Sequence, residues 1–280
     1  MPCKRAVLHS VLSEGYIRTI VKLRLSGWKE QRKHKPKDCE SYEIALQRHT
    51  IRSYSQMTTL HAFTFNAFGE QTYLLNHGDG AATVFDPGMS TPLEQEEFAK
   101  FCEELGVKPV QCLLTHAHLD HIMGAAWVFN RWGLKPRLHP LDTATYEQAP
   151  RAAAVYGVPM ENPPALGPPL ASGERIRCGS SELEVRLTPG HAPGHVVFVE
   201  HQQGWVVGGD VLFERSVGRT DLPGCNPEDL VNSIVDVLFS LPDDFEVWPG
   251  HGSVTTIGVE KRENPFVNVA GTGMMQRPKP

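Results

Sequence analysis

Three imidazoles and a carboxylate fall within six consecutive positions of this chain. The stretch THAHLDH, residues 115–121, carries His116, His118, Asp120 and His121 directly after a short apolar run. In an extended segment, residues two apart point the same way, so His116 and His118 can converge on one cation. Asp120 and His121, where the chain bends towards a helix, can point elsewhere. Packing three imidazoles and a carboxylate around one turn brings no ordinary structural benefit. Four donors so placed suggest two adjacent metal ions rather than one.

Four further candidates stand at the ends of predicted strands: Asp86 in FDPG, His191 in TPGHAPGH, Asp210 in VVGGDVLF and His251 in WPGHG. Each is flanked by Gly or Pro, which allow tight backbone geometry near a site. Taken singly, a histidine after a turn is usually a surface or core residue, and an aspartate after two glycines a turn residue or cap. Their joint occurrence with the 115–121 cluster is what raises them. Six of the 13 histidines lie in these few stretches. Imidazole and carboxylate donors suit zinc, and iron and manganese fit such sites too.

Positioning these residues requires strand ends. From Met57 the pattern reads strand, strand, strand, helix, strand: LHAFTF, QTYLLN and ATVFD, then STPLEQEEFAKFCEELG with Ser90 or Thr91 as cap and Pro92 in the first turn, then VQCLLT. IMGAAWVFNRWG reads as one helix after the histidine stretch. Residues 134–180 are rich in Pro and Gly and resist assignment. ELEVRLT, HVVFVEH and GWVVGG follow as strands, NPEDLVNSIVDVLFSLP as a helix capped by Asn226 with Pro227 at its first position, and FEVWPG as a last strand. Strands and helices do not alternate strictly and no repeat is visible, which favours two mixed sheets covered by helices over one doubly wound parallel sheet.

Composition narrows the class. With 280 residues, 40% of them hydrophobic, the chain can bury a substantial core. No apolar run approaches the roughly 20 residues needed to cross a bilayer, and no secretory signal pattern opens the sequence. Cys3, Cys39, Cys102, Cys112, Cys178 and Cys225 are scattered and form no CxxC pair, so we expect reduced thiols in a cytoplasmic setting, not a disulfide framework or a thiolate zinc site. Residues 1–56 hold 12 Lys and Arg against 5 Asp and Glu, a formal +7, leaving −12 for residues 57–280. This extension shows no sustained periodicity and is expected to be a flexible tail, a targeting segment or the product of a start upstream of Met57. The acidic remainder argues against a nucleic-acid partner.

The stretches THAHLDH (115–121), TPGHAPGH (188–195), GGDVLF (208–213), GRTDLPG (218–224), PGHG (249–252) and ENPFV (263–267) together resemble the metallo-beta-lactamase superfamily, and within it the short glyoxalase-II-like hydrolases. The resemblance implies an α/β chain folded as a four-layer αββα sandwich, with a catalytic domain over residues 57–267 and a C-terminal tail over 268–280. It implies two metals, with His116, His118 and His191 on the first, Asp120, His121 and His251 on the second, and Asp210 bridging. Asp120 would also orient a metal-bridging hydroxide. His195 and Asp86 match positions that support ligands, a carboxylate of that kind orienting a ligand imidazole. Arg219 and Phe68 match substrate contacts.

Divalent metal lowers the pKa of water from about 15.7 to near 7. The hydroxide would attack an acyl carbonyl while metal stabilises the oxyanion. A thiolate leaving group, with a reference pKa of about 8.5, departs with little acid assistance. The expected substrate is therefore a small acyl thioester, a glutathione conjugate among the candidates, although only 29 residues follow His251 and the C-terminal helical domain that holds glutathione in full-length glyoxalase II is missing. Alternatives are a mono-iron persulfide dioxygenase, a lactone hydrolase, and a non-catalytic metal-binding scaffold.

Overall fold

A computed structural model describes residues 58–267; the basic extension and the C-terminal tail expected from the sequence lie outside the described residues. The N-terminal sheet has the order β1 (Thr59–Phe65), β2 (Glu70–Asn76), β3 (Ala81–Phe85), β4 (Lys108–Leu113), antiparallel except for the β3–β4 pair. The second sheet has six strands. Its order is β12 (Thr255–Thr256), β11 (Glu246–Pro249), β8 (Trp205–Gly209), β7 (Val196–Glu200), β6 (Ser181–Leu187), β5 (Arg175–Cys178), with β11 and β8 parallel. A two-stranded ribbon, β9 (Leu212–Phe213) with β10 (Ser216–Val217), stands apart. Both sheets are mixed, as the pattern predicts.

Alternation along the strands builds the layers. Tyr73, Leu75, Phe85 and Leu113 from the first sheet meet Leu183, Val185, Phe198 and Val207 from the second, and all are buried. The residues between them point outward. Leu74 and Val84 pack on α1 (Pro92–Leu105) and α3 (Ala125–Trp132) through Phe98, Cys102 and Val128. Val197, Val199 and Val206 pack on α5 (Pro227–Asn232), its continuation Ser233–Leu238, and α6 (Ile257–Glu263), through Leu230, Ile234, Leu238 and Ile257. The result is helix, sheet, sheet, helix. Burying both faces of each sheet is what forces the near-continuous apolar runs seen in β7 and β8.

Local chemistry fixes the helix boundaries. Thr91 caps α1 in a capping box: its side chain accepts from the Glu94 N–H, and the Glu94 carboxylate accepts back from the Thr91 N–H at 2.9 Å. The same carboxylate accepts from the amides of Ser90 and Asn66, both at 2.7 Å, which ties the β1–β2 loop to the helix. Asn226 caps α5 with Pro227 at its first position, as expected.

Three expectations need correction. The single helix over 122–133 is two, α2 (Leu119–Ile122) and α3, because the Gly124 N–H leaves the helical ladder to donate to Pro87 O at 2.7 Å. The helix after Asn226 loosens into π-helical geometry from Ser233. Within 134–180 the chain forms a 3₁₀ turn, Pro140–Asp142, and a full helix α4 (Thr143–Tyr156), which carries Pro150 in its interior, and then β5. Pro150 is the residue that hides this helix from a sequence reading.

Among the described residues no helix is long and apolar enough to cross a membrane. The four described cysteines are free thiols. Burial pushes Cys102 and Cys178 up to about 11, so neither offers a thiolate near neutrality.

Candidate metal centre

Strand register converges the site residues on one edge of the sandwich. Parallel pairing sets Phe85 beside Leu113, so the residues just beyond, Asp86 and Thr115, come together. Parallel pairing of Gly209 with Pro249 likewise sets Asp210 beside Gly250 and His251. The sheets are joined here by Val196 N–H donating to Thr115 O, Gln71 N–H donating to Gly250 O, both at 2.8 Å, and the Tyr73 hydroxyl donating to Pro249 O. A site outside the carboxyl ends of parallel strands is the usual place for ligands in open sheets.

Seven predicted residues meet there. The donor atoms of His116, His118 and His191 lie within 4.8 Å of one another, as do those of Asp120, His121 and His251. Asp210 stands between the two groups: its Oδ1 is 3.4 Å from His121 Nε2, and its Oδ2 is 3.4 Å from His191 Nε2 and 3.5 Å from His251 Nε2. Asp120 Oδ2 lies 3.1 Å from His251 Nε2. Gly250 makes the close approach possible, since a Cβ there would fall 2.1 Å from Asp210 Oδ1.

The ring nitrogens facing away from the cluster are committed to protein. His121 Nδ1 donates to Asp86 Oδ2 at 3.1 Å, and His191 Nδ1 donates to Arg219 O at 2.8 Å. The Thr115 hydroxyl donates to Asp86 Oδ2 at 2.6 Å, so its oxygen is left to accept from His116 Nδ1 at 3.0 Å. These bonds fix the tautomers and aim the other nitrogens inward. Of the five buried side-chain atoms without a hydrogen-bond partner among the described residues, three belong to this cluster, His116 Nε2, His121 Nε2 and Asp210 Oδ1, and Glu70 Oε1 lies beside it. Buried polar atoms are almost always satisfied, so orphans meeting at one point are what a missing cation would leave. The donor set fits divalent metal.

His195 and Asp86 are spent elsewhere. His195 Nε2 accepts from the Asp210 N–H at 3.0 Å and its Nδ1 bonds Thr188 Oγ1 at 3.0 Å, so neither nitrogen is free. Asp86, held at φ 46°, accepts from the Thr115 amide at 2.7 Å besides the Thr115 hydroxyl and His121. Arg219 directs its guanidinium to Asp221 at 2.6 and 2.8 Å, and what touches the cluster is its carbonyl. Phe68 sits in the β1–β2 loop, which Asn66 pins by donating to Asp120 O at 3.0 Å, and meets Tyr156 edge to face at 6.1 Å between ring centres.

Electrostatics divide the cluster. Burial holds His116 and His195 well below the usual imidazole range and pushes His118 down to about 3. Burial opposes charge on His121 as well, but Asp210 and Asp120 outweigh it and hold its pKa well above that range. The His121 imidazole in turn keeps Asp210 far below the usual carboxylate range despite burial. Glu70, missed in the sequence, lies fully buried with Oε1 3.9 Å from His121 Nδ1, and burial raises its pKa well above the ordinary value. Thr115 and Thr188 were missed too. A threonine near a histidine carries no sequence signal that separates a hydroxyl bonded to the imidazole from an ordinary strand residue.

The family description that matches, over residues 66–251, is the metallo-beta-lactamase superfamily. The chain is 37% identical over 211 residues to hydroxyacylglutathione hydrolase GloC of Haemophilus influenzae, covering 72% of this chain and 94% of that protein. Among solved structures it is similar to TTHA1623 in a di-iron-bound form, at 40% identity and a TM-score of 0.67, covering 74% of this chain and 99% of that one. It is also similar to the BLEG-1 B3 metallo-beta-lactamase, at 30% identity and a TM-score of 0.69, covering 75% and 99%. Motifs, layers and donor cluster agree with these likenesses, and the chain belongs to the metallo-beta-lactamase superfamily as a metal-dependent hydrolase of that fold.

Proposed function

We propose that the cluster holds two divalent metal ions and hydrolyses small acyl thioesters of the hydroxyacylglutathione type. The observation that carries this reading is the convergence of the orphaned His116 Nε2, His121 Nε2 and Asp210 Oδ1 between two triads of donors. His116, His118 and His191 hold the first ion, Asp120, His121 and His251 the second, and Asp210 reaches both. Support comes from the name of the 37% identical GloC and from the di-iron form of the 40% identical TTHA1623. Zinc suits the imidazole-rich donors, and iron is the ion named in that relative. Metal bound there supplies hydroxide at neutral pH and a Lewis acid for the substrate carbonyl.

The protein's own groups do the rest. Asp86 and Arg219 O hold the His121 and His191 rings in one tautomer, so that the donors do not reorganise during turnover. Asp120 Oδ2 accepts a hydrogen bond from His251 Nε2 at 3.1 Å, and with metal bound the Asp120 carboxylate would orient the attacking nucleophile. Phe68 and Tyr156 form an aromatic rim against which the substrate rests. No acid is required for a thiolate leaving group. The reduced thiols suit a cytoplasmic enzyme.

Metal analysis of native protein, paired with thioester, lactone and persulfide substrates, tests the reading. The expected result is about two ions per chain and thioester turnover abolished by chelator. One iron per chain with persulfide oxidation would overturn it.

A further inference from the structure

We propose that Asp142 is a positioning residue that locks the two arms carrying His116, His118 and His191 into one metal site, without touching any of the three. It lies in none of the family stretches and is fully buried. Its Oδ2 accepts from the Ala117 N–H at 3.0 Å, and its Oδ1 accepts from the Gly194 N–H at 2.7 Å. Ala117 separates His116 from His118. Gly194 lies between His191 and His195. One carboxylate therefore holds the peptide planes of two loops through amides 77 positions apart in sequence (117 and 194), in loops that belong to different sheets.

The anchor is itself rigid. Asp142 ends the Pro140–Asp142 turn, whose Asp142 N–H donates to His139 O at 3.0 Å, and it leads directly into α4. Tyr146 and Ala149 of α4 pack with Leu114, Ala117 and Ile122, so the carboxylate and the histidine arm share one apolar cluster. Only a carboxylate suits the position. Both partners are amide donors, and a group offering two acceptors satisfies both, whereas an asparagine turns an N–H₂ towards one of them. Gly194 belongs to the same device: a Cβ there would lie 2.6 Å from Asp142 N and 3.1 Å from Asp142 Oδ1. Its missing side chain is what lets the carboxylate close on the loop.

This inference rests on the reading of His116, His118 and His191 as ligands of one ion. Partners of ligands typically change metal affinity 10–100-fold when removed. The test is chelator competition on the metal-loaded full-length protein, wild type against Asp142→Asn and Gly194→Ala, alongside the thermal midpoint of each metal-free protein. We expect wild type to hold two ions, and each variant to release one of them at about 10–100-fold lower chelator concentration while the other is retained. A purely structural residue would lower the thermal midpoint and leave the two ions equally tight relative to wild type. Two ions in wild type with no selective release in a folded variant overturns the role of Asp142 alone. So does failure of both variants to fold. A wild type that binds no metal overturns the metal-centre reading and this inference together.

Discussion

The two triads of the cluster treat charge in opposite ways. His116, His118 and His191 meet with no carboxylate of their own, and burial holds His116 far down and His118 at about 3, so His116 and His118 present neutral lone pairs. Around His121 and His251 the carboxylates of Asp120 and Asp210 overcome burial and raise both imidazoles. His116 and His118 are already in the protonation state that a metal requires, whereas His121 and His251 hold protons that a metal would displace. Asp210 belongs to both, and its Oδ1 has no protein partner. The donor cluster is thus built of unequal halves, one shaped by desolvation and the other by charge balance.

Breaking the neutral half should have the largest effect. His116→Ala is expected to reduce thioester turnover to background and to remove bound metal, measured by elemental analysis of the purified variant. Retention of two ions would undo the division into triads. Asp86→Ala attacks the charged half from outside, by freeing His121 Nδ1 and both Thr115 donors; a 10–100-fold loss of metal affinity is expected, seen by chelator competition. His195→Ala removes no ligand, because both its nitrogens are bonded to Thr188 and the Asp210 amide and only its ring face meets the cluster, stacked on His116 at 4.9 Å between centres. Activity and metal content should fall less than in His116→Ala, and equal loss in the two variants would contradict the assignment of His195 as a support.

The smallest effect belongs to a residue that positions the rim and not the donors. Three backbone N–H groups hold the Glu94 carboxyl below its ordinary value against the effect of burial. A carboxyl whose pKa is depressed in the folded state contributes stability above its unfolded value of about 4.3 and loses it as pH falls through the lower folded value. Glu94→Gln should therefore destabilise the neutral protein by less than about 1 kcal/mol, given solvent screening, and the gap from wild type should close in acid. Urea unfolding at neutral and acid pH checks it. A gap that widens in acid would reverse the sign.

How much was legible follows from where each signal lives. The histidine stretch is local, and its residue types and spacing mark it as metal-binding without reference to the fold. The capping of α1 by Thr91 and of α5 by Asn226 was equally local. The helix α4 was not, because Pro150 contradicts a helical reading that only packing on α2 and α3 redeems. Glu70 was illegible for a related reason: a carboxylate in a strand reads as solvent-facing, and full burial beside His121 comes from the opposite sheet edge closing over it through the Glu70–His251 bridge. Arg219 was legible as a position, but the role of its carbonyl in holding His191 was not, since a backbone oxygen carries no residue-type signal.

By itself, the sequence determined the donor types, the likeness to one superfamily, and the alternation that makes two sheets with covered faces. Those are properties of residue type and short-range spacing. Only the tertiary structure decided which atom of each donor is free, because that depends on what occupies the other side of each ring. Thr115, Asp86, Arg219 O and Thr188 come from separate strands and loops, and Asp142 joins two of those loops from a helix that the sequence concealed. A hydrogen bond reaches only about 3 Å, so its partners are fixed by the fold and not by neighbours along the chain.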